Sequence, residues 1–309
     1  MTENRPTGRS PTEASFVLGR KLDSIPFGTY HVTLISVLAL VGFVEGYDLS
    51  ITGVLLVLAK GPLHLSGADI RWLVVGPTFM ACVGGFTAST MSDHWSRKTV
   101  MQIGIAGTTF LTLLIPLVQN AEQLIILRLL TGLAGGFAVS APFPVAAELM
   151  PAQHRRTYGA IYEMALAAAF TVQPFIAFLL ADNPQAFRLL ALPGGLAFFV
   201  VPVLVHFAIP ESPRWHLRKG QTQAAANVVN DIIRRAGSHT SFLTADLLRG
   251  SLHTEREQLP SYWALFARGQ LRWTAVGILS GVCAGTAAFL IHVLLPKAIK
   301  ARLCPSASA

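Results

Sequence analysis

The chain has 309 residues, 52% of them hydrophobic and only 13% charged, with a formal net charge of +8. It is too apolar for an ordinary soluble domain of this length, and its cations lie scattered in separate loops, which argues against a basic nucleic-acid-binding domain. Cys82, Cys283 and Cys304 are odd in number and lie in or beside apolar stretches, so no disulfide framework is implied.

In chain order, residues 1–30 carry Arg5, Arg9, Arg20 and Lys21 among Pro and Ser. They lack the short apolar core and small-residue cleavage site of a signal peptide and read as a cytoplasmic tail. Six apolar stretches fill 31–209, at 31–58, 72–91, 99–118, 123–149, 158–181 and 187–208. Each suits the roughly 20 residues that cross a hydrocarbon layer of about 30 Å. A polar linker at 210–272 precedes a seventh stretch at 273–295 and a short tail at 296–309. The short alternating segments of an outer-membrane barrel are absent, so the backbone must satisfy itself as helices. The fold class is an all-α membrane protein of about seven transmembrane helices, a six-helix half-bundle plus one.

Within the linker, Ala225, Val228, Val229, Ile232 and Ile233 recur at helical spacing between Gly220 and Gly237. This predicts an amphipathic helix over 222–235, lying against the bundle or bilayer or serving as a solvated linker helix. With the amino terminus inside, seventeen Lys and Arg fall on the cytoplasmic side and six on the other. That asymmetry is the positive-inside pattern.

Ionisable groups at membrane depth cost roughly 2.5 to 3.5 kcal/mol each on insertion scales, so each calls for a reason. The first stretch holds Glu45 and Asp48, three residues apart and expected on one helical face. Two carboxylates that close resist ionising together, so either can hold a proton or be neutralised by a buried arginine. Arg128 opens the run Arg128-Leu129-Leu130-Thr131-Gly132-Leu133-Ala134-Gly135-Gly136 inside the fourth stretch. It needs an acidic partner, with Glu45, Asp48 and Glu163 as candidates, or an anionic ligand. The glycines after it would let a neighbouring helix come close. Tyr47, Phe143 and Tyr162 could stack on a sugar, and Gln173 could hydrogen-bond one.

Four places carry a family resemblance. The loop Ser89-Thr90-Met91-Ser92-Asp93-His94-Trp95-Ser96-Arg97-Lys98 resembles the major-facilitator signature G-x-x-x-D-R-x-G-R-[RK] at Asp93, Arg97 and Lys98. It departs from that signature at Ser89, His94 and Ser96. The Arg128 run looks like R-x-x-x-G-x-x-G, and Glu148-Leu149-Met150-Pro151 with Arg155 looks like E-x-x-P-x-x-x-R-G, Arg156 replacing the glycine. Pro210-Glu211-Ser212-Pro213-Arg214-Trp215, with Gly46-Tyr47-Asp48, is similar to the sugar-porter and aromatic-acid or organic-anion symporter branches.

The resemblance spans residues 31 to about 295 and implies alternating access by six-helix halves rocking about a midplane site. It also implies a cytoplasmic latch of Asp93, Arg97, Lys98, Glu148, Arg155, Glu211 and Arg214. The expected function is a secondary transporter in an inner membrane: a proton-coupled symporter of a small organic anion, or a sugar transporter. A non-transporting half that binds a partner is the reading from another class. Only a first half is found, so a truncated or frameshifted product is expected, or a second chain that completes the site. No phosphate loop, metal-spaced Cys and His cluster or nucleophile motif suggests an enzyme, a metal or another cofactor.

Overall fold

In the computed structural model, residues 13–183, 185–238 and 240–250 are described, with 271–272, 274–276 and 279 beyond them. The chain divides into two units, Met1–Glu255 and Arg256–Ala309. The expected seventh span at 273–295 lies outside the described residues, apart from fragments of helix.

The described helices of the first unit are α1 (Glu13–Asp23), α2 (Thr29–Leu58), α3 (Gly67–His94), α4 (Arg97–Leu114), α5 (Ala121–Ser140) and α6 (Pro142–Leu149). They continue as α7 (Arg155–Leu179), α8 (Ala186–Leu196), α9 (Val201–Ala208), α10 (Pro213–Arg218), α11 (Thr222–Arg235) and α12 (Ala245–Gly250). Among the described residues, six segments are long and apolar enough to cross a membrane. They are Thr29–Leu58, Gly67–Ser92, Arg97–Leu117, Ala121–Leu149, Ala152–Leu179 and Ala186–Ala208. Side chains start these helices where the sequence changes character. Ser66 and Asp69 form a reciprocal capping box on α3, and Ser96, Asn120 and Ser212 accept the first amide hydrogens of α4, α5 and α10.

Small residues set how the spans pack. A Cβ on Gly132 would strike the carbonyl oxygen of Pro77, and one on Gly136 that of Ala81, so α5 lies backbone to backbone on α3. Gly104 of α4 meets the amide of Ala138 in the same way. On the other side, a Cβ on Gly42 would sit 2.8 Å from the Tyr162 ring and one on Gly46 2.5 Å from the Leu166 carbonyl oxygen, so α2 lies on α7. Gly132 and Gly136 of the Arg128 run therefore do what their spacing suggests.

The stretch read as a tail folds in part. Ala14, Leu18 and Leu22 bury one side of α1, with Ile25 just beyond it, in the same core as α11, α12 and the first turns of α2. The amphipathic helix expected over 222–235 is α11, bounded by left-handed glycines at Gly220 (φ 74°) and Gly237 (φ 66°). Its Ala225, Ala226, Val229, Ile232 and Ile233 are buried against protein, which favours docking on the bundle over a solvated linker helix. Thr29 Oγ1 donates to the Arg235 carbonyl at 3.0 Å, fastening the end of α11 to the start of α2.

Candidate functional site

Past the middle of α2, Asp48 Oδ1 accepts from Arg128 Nη1 at 2.8 Å and from Thr112 Oγ1 at 3.1 Å. Arg128 Nη2 also donates to the Asp48 carbonyl at 3.2 Å and to Thr52 Oγ1 at 2.6 Å. The arginine side chain is 3% exposed and the aspartate side chain 11%. Three spans thus converge: α2 supplies the carboxylate, α5 the guanidinium and α4 the hydroxyl. Of the three candidate partners of Arg128, the structure selects Asp48.

Glu45 has other company. Its Oε2 accepts from the Tyr162 hydroxyl of α7 at 2.5 Å, and its Oε1 is buried with no hydrogen-bond partner. Three residues at about 100° each fall 60° short of a full turn. That offset turns Glu45 toward α7 and Asp48 toward α4 and α5, so the shared face expected from the spacing serves two separate neighbourhoods. Tyr162 belongs to a ring cluster with Phe143 and Tyr158, centroids 5.1 to 6.0 Å apart, in which Phe143 is 44% exposed.

The remaining candidates are dispersed. Tyr47 is buried, its hydroxyl donating to the Leu190 carbonyl at 2.8 Å and its ring against Gly194, which makes it a tie between α2 and α8. Glu163 is exposed on α7 and takes no part in the Arg128 pair. Gln173 is fully buried between Ala169 and Ala177 on one face of α7, and both of its amide atoms lack partners.

At the far ends of α4 and α6, Arg97 Nη1 pairs with Glu148 Oε1 at 3.0 Å. Lys98 Nζ donates to the His206 carbonyl at 2.7 Å, capping the last turn of α9. Arg155 Nε donates to the Met150 carbonyl at 3.2 Å, and its Nη2 lies 3.9 Å from Asp23 of α1. Glu211 is half-buried with an unpartnered Oε2, and Arg214 lies against Gly19. Asp93 closes the last turn of α3; its side chain lies outside the described ones. Among the described side chains, Arg97 pairs with Glu148 and Lys98 feels the charge of Glu211, whereas Arg155 finds Asp23 instead of an expected latch residue.

Thr52, Thr112 and Asp23 escaped the sequence reading. Thr112 had one usable signal: with Thr108 and Thr109 it forms a buried hydroxyl stripe at helical spacing on α4.

A family model described as Major Facilitator Superfamily matches residues 38–302. The Escherichia coli inner membrane metabolite transport protein YgcS is 25% identical over 288 residues, which are 89% of this chain and 60% of that protein. The gallate transporter of Pseudomonas putida is 24% identical over 212 residues, 67% of this chain and 46% of that one. In three dimensions, the E. coli proton:xylose symporter XylE bound to 6-bromo-6-deoxy-D-glucose superposes with a TM-score of 0.58 at 17% identity. That match covers 72% of this chain and 52% of XylE. The chain thus spans about half the length of the proteins it matches.

Proposed function

The chain belongs to the Major Facilitator Superfamily, and from that premise we propose that it forms one six-helix half of a proton-coupled symporter for a small organic anion. A facing helical body, from further chain or a second chain, supplies the other wall of the site. The membrane is an inner membrane, with the amino terminus and α10–α12 on the cytoplasmic side, as the cation asymmetry favours.

The buried Asp48–Arg128 pair carries this reading. When Asp48 is ionised the pair is electrically closed. Oδ1 already takes two hydrogen bonds, so the second carboxylate oxygen is the atom open to a proton. A proton there cancels the negative charge and leaves the guanidinium to draw in an anion from the facing side. Loss of the proton closes the pair again and favours release, which couples the two fluxes.

The test is made in proteoliposomes on the chain assembled with its facing half. Asp48→Asn should retain exchange of substrate across the membrane and lose uphill, gradient-driven accumulation. Accumulation by Asp48→Asn equal to that of the unsubstituted protein moves the proton site elsewhere, with Glu45 next in line.

The exposed Phe143 edge beside Tyr162 favours a second reading, a sugar stacked on the ring cluster. Gallate and xylose offered in parallel separate the two substrate classes. Exchange of neither, by the assembled protein, supports the non-transporting reading.

A further inference from the structure

At the end of the bundle where α2 begins, α1 and the segment leading into α12 line an open surface cavity of about 340 Å³. Its polar wall is Arg20, Lys21, Ser24 and Ser241; its apolar wall includes Phe242 and Leu247, each 60% exposed. Lys21 Nζ reaches Ser241 Oγ at 3.1 Å across the opening. The cavity takes no part in the Asp48–Arg128 site.

Two further observations say what kind of molecule fits. Cations lie over aromatic rings three times on this surface: Arg20 over Phe16 at 4.5 Å, Lys219 over Trp215 at 4.1 Å and Arg234 over Phe242 at 5.9 Å. Aromatic rings beside cations are the usual furniture of a membrane interface. The depth also fits. α2 is 30 residues long, about 45 Å at 1.5 Å per residue, against a hydrocarbon layer of about 30 Å. That surplus leaves length for its first turn to stand in the headgroup layer. The Thr29–Arg235 bond and the contact of Gly28 with the Ala236 carbonyl fasten the α1 and α10–α12 layer at that level.

We infer that this cavity is a binding site for one anionic phospholipid, whose phosphate lies between Arg20 and Lys21 and whose upper acyl chain follows Phe242 and Leu247. Two cations without a carboxylate among the cavity-lining residues complement a phosphate. The apolar wall gives the glycerol and first methylenes a surface that a free ion would not use. A zwitterionic lipid brings its own cation to the same place and gains less.

The experiment is native mass spectrometry of the purified full chain, released from detergent with phosphatidylglycerol or phosphatidylcholine of the same acyl chains. The chain should retain phosphatidylglycerol preferentially. The double substitution Arg20→Ala/Lys21→Ala should weaken retention by roughly thirtyfold, at about 1 kcal/mol per cation near an anionic surface. Arg218→Ala/Lys219→Ala, which removes equal charge from the same end outside the cavity, should leave retention within about twofold. The milder Arg20→Lys guards against misfolding and should keep most of the preference. Equal retention of the two lipids overturns the inference, as does equal loss in both double variants. Inorganic phosphate or glycerol phosphate that displaces phosphatidylglycerol at comparable concentration shows a free-anion site and overturns it as well.

Discussion

Replacing Arg128 by methionine keeps much of the side chain's length and removes its charge. Three hydrogen bonds go, to Asp48 Oδ1, the Asp48 carbonyl and Thr52 Oγ1, and the carboxylate is left with Thr112 alone. Breaking a buried pair from one side typically costs about 3 to 5 kcal/mol, because the surviving charge stays desolvated. Asp48→Asn should cost less, about 1 to 3 kcal/mol, since the carbonyl of residue 48 and Thr52 still hold the guanidinium. The double substitution should then be milder than the sum of the two by about 2 kcal/mol. Reversible unfolding of the purified chain, titrated with sodium dodecyl sulfate in mixed micelles, measures all three. Single costs that add to within about 0.5 kcal/mol, or an Arg128→Met cost below about 1 kcal/mol, would refute the pairing.

Tyr162→Phe removes the hydroxyl that Glu45 Oε2 accepts from and should destabilise the same chain by about 1.5 to 3 kcal/mol in that titration. Adding Glu45→Gln should recover part of the loss. Gly136→Val would drive a side chain into the Ala81 carbonyl and should cost at least 2 to 3 kcal/mol, roughly the overpacking range. Gly135→Ala, with nothing nearer than Thr108 Oγ1 at 4.0 Å, should leave the unfolding midpoint almost unchanged. For orientation, a single cysteine at the exposed Gln223 of α11 should resist a membrane-impermeant maleimide applied to intact cells, whereas one at the exposed Asp182 should react; the opposite pattern inverts the topology.

The spans were legible because each is a long run of apolar residues, and the Arg128 glycines because close helix packing leaves few other reasons for them. α11 was legible from its period. α1 was hidden: its buried side is the narrow set Ala14, Leu18 and Leu22, submerged in a stretch with Arg20, Lys21 and other polar residues. The Asp48–Arg128 partnership could be narrowed to three acids, but spacing along one helix gives only a direction around its axis. The neighbours that separate Glu45 from Asp48 are contributed by α7 on one side and by α4 and α5 on the other. Thr52 was illegible, and Thr112 legible only through its stripe of hydroxyls, for a different reason. A threonine in a span costs little and so raises no question until an arginine is found beside it.

The glycine contacts of the spans have a mechanical consequence. α3, α4 and α5 meet backbone to backbone at Gly104, Gly132 and Gly136, and α2 meets α7 backbone at Gly46 and the Tyr162 ring at Gly42. Each set behaves as a slab, with few side-chain rotamers between its members to rearrange. Asp48 stands on one slab; Arg128 and Thr112 stand on the other. Where the slabs meet at this depth, the join is stitched by the bonds of Asp48 to Arg128 and Thr112, so on the proposed function a proton on Asp48 would loosen the seam while leaving both slabs intact.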